Sequence, residues 1–204
     1  MQELEEALSD IKTMRAQIAR TTLFRGYSAS AFATTGILAL AAASAQSYWV
    51  ANPSSDLTAF LTLWIATATI AATIIGVDVI TRSRRAHSGL ADEMIYAALE
   101  QLLPAAVAGA LLTLVIARFA PQSAWMLPGL WQILLSLGVF AACRSLPAPL
   151  IAVPVWYLAS GLTCLMLSAD SDALAPWSMG VPFGVGQLLA AALIRKFGGS
   201  DGDE

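Results

Sequence analysis

"APWSMGVPFGVGQLLAAALIRK", Ala175 to Lys196, is free of charge until its last two residues. It also holds one glutamine, one serine, two prolines and three glycines. An uncharged run of this length matches the roughly 20 apolar residues that carry a helix across a bilayer. Repetition settles the reading. The long intervals without Asp, Glu, Lys or Arg are 26–55, 57–77, 101–117, 119–143, 145–169 and 173–194. A water-soluble fold of 204 residues has no use for six such runs. Composition agrees: apolar residues are 57% and charged residues 12%, against roughly 45–50% and 25% in soluble domains. The chain is therefore expected to be an all-α polytopic membrane protein with six transmembrane helices.

The expected spans are about 29–50, 57–80, 102–119, 124–143, 148–168 and 177–194, within a transmembrane domain over 27–196. Ahead of it, residues 1–26 are expected to form an amphipathic helix. Leu4, Leu8, Ile11, Met14 and Ile18 recur at steps of three and four, with acidic residues leading and basic ones following. That stripe could lie on the membrane, pack on the protein itself, or pair with a second copy. The tail 197–204 reads as flexible and acidic. Ala43-Ser44-Ala45 resembles a signal-peptide cleavage site. The long polar stretch before the first span, with Glu3, Glu5, Glu6 and Asp10, argues against cleavage.

With the N-terminus in the cytoplasm and the spans alternating, only Arg118 of the eleven Lys and Arg residues falls outside. The positive-inside rule favours this orientation, with both termini cytoplasmic. The chain has the general look of small Ala-rich bacterial membrane proteins, so a bacterial inner membrane is the expected location. No residue roles are carried over from that likeness.

Polar atoms inside hydrocarbon need partners, so they mark candidate sites. Gln132 falls mid-span and Gln187 in the inner half of the sixth span. With Trp156 and Tyr157 they form the candidate ligand-binding set. The competing reading of each amide is a bond between helices. Gly180, Gly184 and Gly186 suit close helix approach, while Pro182 and Pro154 are expected to kink or interrupt their helices beside these residues. Asp78, Arg82, Arg84, Arg85, Glu93 and Glu100 could form an ionic cytoplasmic mouth, or simply a solvated rim. Cys143 and Cys164 read as small core residues. His87 is the single histidine, so neither a metal site nor a cofactor is expected, and no acid–base machinery supports enzyme activity.

The leading functional expectation is a non-catalytic interaction or regulatory component, or a subunit of a membrane complex. Its partners would be the lipid bilayer and either another membrane protein or further copies of itself; nucleic acid is not among them. The alternative is a small transporter or channel for a neutral or apolar molecule, which requires Gln132 and Gln187 to share a cavity. A weaker alternative is an enzyme acting on lipid or quinone.

Overall fold

The structure, a computed structural model, describes residues 28–50, 56–86, 91–142, 148–168 and 174–197. The expected N-terminal helix, residues 198–204 of the tail, His87 and Cys143 lie outside the described residues. Within them the chain is helical, without strands. Six helices carry it: α1 (Ala29–Trp49), α2 (Leu57–Ala86), α3 (Ala91–Phe119), α4 (Leu127–Ala142), α5 (Ala152–Ser168) and α6 (Pro176–Phe197). Counted with the residues that lead into α4 (from Pro121) and α5 (from Pro149), each is long and apolar enough to cross a membrane.

Local chemistry sets the helix ends. Ser28 caps α1, its hydroxyl accepting from the Ala31 N–H at 3.4 Å. At the other end Tyr48 and Trp49 are exposed, as residues of an interfacial belt would be. The Asp56 carboxylate accepts from the Ala59 N–H at 3.0 Å at the start of α2, and Arg84 and Arg85 occupy its last turn, complementing both ends of the dipole. Short 3₁₀ segments, Pro121–Met126 and Ala148–Ile151, lead into α4 and α5.

Successive helices run antiparallel. Gln46 of α1 meets Trp64 of α2, Thr113 of α3 meets Trp131 of α4, and Ser136 of α4 meets Pro154 of α5. The chain closes on itself where α6 packs against α1, with Gly184 beside Leu40 and Gly36, and Gly180 beside Ala43. Half of the spanning stretch of α6 is buried, against 17% in α2 and 11% in α3. The bundle thus centres on α1, α4, α5 and α6, with α2 and α3 on its flank.

Neither proline beside the candidate site interrupts its helix. α6 runs unbroken through Pro182. Pro154 is the third residue of α5 and follows a 3₁₀ turn, so it does not interrupt the span. In a first turn the missing N–H has no helical acceptor to lose. Pro104 likewise lies inside α3 without ending it.

Candidate functional site

Several polar residues of the bundle meet along one face of α6. Proline at 182 has no N–H, so the Ser178 carbonyl, four residues earlier, loses its helical donor. Gln132 of α4 takes that place: its Nε2 donates to Ser178 O at 2.8 Å. Cys164 Sγ of α5 lies 3.9 Å from the same oxygen. One turn on, Trp156 Nε1 donates to the Pro182 carbonyl at 2.9 Å. A further turn on, the Tyr157 ring lies directly on Gly186, leaving no room for a Cβ there. Positions 178, 182 and 186 are spaced by four, so they form a row along one helix face. The sequence-derived set is therefore gathered along a single seam between α4, α5 and α6.

The seam is not one chamber. Gln132 reaches α6 at Ser178, whereas Gln187 sits nine positions further along, about 13 Å at 1.5 Å per residue. Gln187 neighbours Tyr157 on one side and Gly36 of α1 on the other, where its Cβ is 3.2 Å from the position a Gly36 Cβ would take. The Tyr157 hydroxyl approaches the Gln187 amide without meeting full hydrogen-bond geometry, so Tyr157 Oη and Gln187 Oε1 are both buried without a bonded partner. Gln132 Oε1 is in the same condition. The side chains of this seam are amides, hydroxyls, an indole and a thiol. They can orient and bond, but they supply no nucleophile activated by a base. Among the described residues no three His, Cys, Asp or Glu side chains come together as metal ligands would.

Sequence reading passed over several members of this polar framework. Gln46 is fully buried. It accepts from Trp64 Nε1 at 2.7 Å and donates to the Leu174 carbonyl at 2.6 Å, joining α1, α2 and the segment before α6. Ser136 donates to the Pro154 carbonyl at 2.9 Å, and Trp131 Nε1 to Thr113 Oγ1 at 2.8 Å. A signal for these was present. Gln46–Trp64, Thr113–Trp131 and Ser136–Pro154 are each 18 residues apart and straddle a turn, as facing residues in a helical hairpin must.

Of the expected ionic mouth, the described residues include the Asp78–Arg82 pair. Arg82 Nε donates to Asp78 Oδ1 at 3.0 Å across one turn of α2. Arg84, Arg85 and Glu100 are exposed. Glu93 lies in the helical first part of α3, and its side chain is outside the described residues. Asp78 also lines an open groove of about 500 Å³ between α1 and α2, together with Ser30, Thr34, Thr73 and Thr81. Comparison of the chain with known protein families, with curated proteins and with solved structures finds no match.

Proposed function

We infer that the chain is a non-catalytic, multi-pass component of a bacterial inner membrane, acting as an interaction or regulatory subunit of a membrane complex. One observation carries this reading: the uneven use of the six helices. α1, α4, α5 and α6 bond and pack to one another, while α2 and α3 bury few residues of their spans, 17% and 11%. A partner helix seated there would find a surface that the bundle itself does not use. The positive-inside rule supports cytoplasmic termini: Arg82, Arg84, Arg85, Arg195 and Lys196 share one end of the antiparallel bundle, and Arg118 stands at the other. The separation of Gln132 from Gln187 along α6 weighs against the transporter alternative, which needs them in one cavity.

The test is native mass spectrometry of the full chain extracted in mild detergent, combined with single-cysteine crosslinking. A defined membrane-protein partner, or a second copy, should crosslink through exposed positions such as Ile70 and Leu111 and not through the α4–α6 seam. A bound non-lipid small molecule, lost in Gln132→Ala or Gln187→Ala with no polypeptide partner retained, would overturn this reading in favour of transport.

A further inference from the structure

At one end of their length α1 and α2 are tied together, where Gln46 bonds to Trp64. At the arginine end a groove of about 500 Å³ lies between them, walled by Ala31 and Thr34 of α1 and by Thr73, Ile74, Val77 and Thr81 of α2. Its polar groups are already served. The Thr34, Thr73 and Thr81 hydroxyls donate to the Ser30, Thr69 and Val77 carbonyls of their own helices at 2.9, 2.7 and 2.8 Å. Asp78 is paired with Arg82 through Oδ1, and its Oδ2 is shielded from the groove's open side. No wall hydroxyl is left needing an acceptor, so apolar side chains can fill the groove without stranding a donor. Ala31, Ile74 and Val77 give them an apolar bed. Such a cleft suits the apolar face of an amphipathic helix.

The chain supplies a sequence of that kind next to the groove. Residues 1–27 precede Ser28, the cap of α1, and Ser30 already lines the groove. A tether this short makes docking an intramolecular step at high effective concentration. The segment carries the stripe Leu4, Leu8, Ile11, Met14 and Ile18, which needs apolar cover. Glu3, Glu5, Glu6 and Asp10 precede its basic residues. Arg84 and Arg85 are exposed in the last turn of α2, past the groove, and complement those carboxylates. Length fits as well. From Ile18 to Asp10 a helix spans about 12 Å at 1.5 Å per residue, against roughly 8–10 Å between the axes of packed helices. We propose that residues 1–27 fold back across the α1–α2 groove. Met14 and Ile18 cover it, and the acidic start of the segment meets Arg84 and Arg85. Both halves of the match, stripe to cleft and carboxylates to arginines, belong to one tethered segment, which favours it over a lipid chain or a second copy. The docking lies within one chain and does not depend on the partner inferred above.

The experiment is disulfide trapping in the full chain, reconstituted in bilayers, with Cys143 and Cys164 replaced by alanine. Met14→Cys is combined with Val77→Cys in the groove wall or, as the control, with Leu103→Cys near the start of the apolar part of α3; Val77 and Leu103 are both exposed. The expected result is a disulfide within one chain for the Val77→Cys pair, formed roughly tenfold faster than for the Leu103→Cys pair. Arg84→Glu with Arg85→Glu should slow it about threefold, the scale of exposed ion pairs, and adding Glu5→Lys with Glu6→Lys should restore the rate. Equal rates for the two pairs would mean that the segment lies elsewhere on the bilayer, and overturn the proposal. A rate indifferent to charge reversal overturns the match to the arginines. A disulfide formed mainly between two chains overturns docking within one chain in favour of a second copy.

Discussion

Gly161 of α5 and Gly76 of α2 are the same residue in helices of similar composition, and their surroundings are opposite. A Cβ on Gly161 would lie 2.8 Å from the Gly129 carbonyl oxygen, and one on Gly129 would lie 2.7 Å from the Gly161 carbonyl oxygen. A Cβ on Gly76 would meet nothing within 4 Å. At the α4–α5 contact, glycine lets two backbones touch. On α2 it leaves a gap in an outward face. The contrast extends to the polar groups. Gln132, Ser136 and Trp156 each bond to a backbone carbonyl of a neighbouring helix. Thr62, Thr69 and Thr73 of α2 bond only within α2, each to the carbonyl four residues earlier. The inner helices use small and polar residues to fix one another. Most threonines of α2 instead face lipid or a partner.

That contrast can be broken experimentally, and the largest effect is expected at the glycine pair. Gly161→Ala places a methyl group against a backbone oxygen that no rotamer change can move aside. We expect a loss of about 3 kcal/mol, the upper part of the overpacking range, read by thermal unfolding in detergent. A loss near zero would mean that α4 and α5 are not in backbone contact. Next is Gln46→Leu, which strands the Trp64 N–H and the Leu174 carbonyl inside the protein. We expect a cost of about 1–2 kcal/mol, with a blue shift of tryptophan emission as the indole loses its acceptor. If stability and emission both stay unchanged, Gln46 does not tie α1 to α2. The smallest effect is Gly76→Ala. With open space around the site, the change should be neutral or stabilising by up to about 1 kcal/mol, from helix propensity alone. If Gly76→Ala instead weakens a purified complex while leaving the isolated chain intact, the outward face of α2 is itself a helix seat and the contrast narrows.

Much of this architecture could be read in the sequence, and unevenly so. The six spans came within a few residues of the observed helices, except that α3 begins at Ala91, ahead of the expected start at 102, and α2 continues past the expected end at 80 to Ala86. There Thr81 and the arginines extend the helix beyond the apolar stretch, because helical bonding does not stop where hydropathy does. Pro154 and Pro182 were visible as breaks in pattern, but their consequences were not. One falls in a first turn, where nothing is broken. The other frees the Ser178 carbonyl, which only a side chain from another helix could then satisfy. Gln132 and Gln187 stood out as rare amides. Gln46 did not, because it lies close to Tyr48 and Trp49 at a helix end, where a polar side chain is unremarkable in sequence.

Exclusion of charge and helical bonding are local properties, so the sequence by itself determined the number of spans, their approximate limits and the side on which basic residues gather. An uncharged span is apolar nearly all round and carries little record of how it is turned about its own axis. That rotation is set by which backbones can come close and which freed carbonyls find a donor. Only the tertiary structure could therefore decide that α6 closes against α1, that Gln132 serves Ser178 while Gln187 faces Tyr157, and that α2 keeps most of its threonines outward, Thr67 excepted, with Asp78 at the end of an open groove.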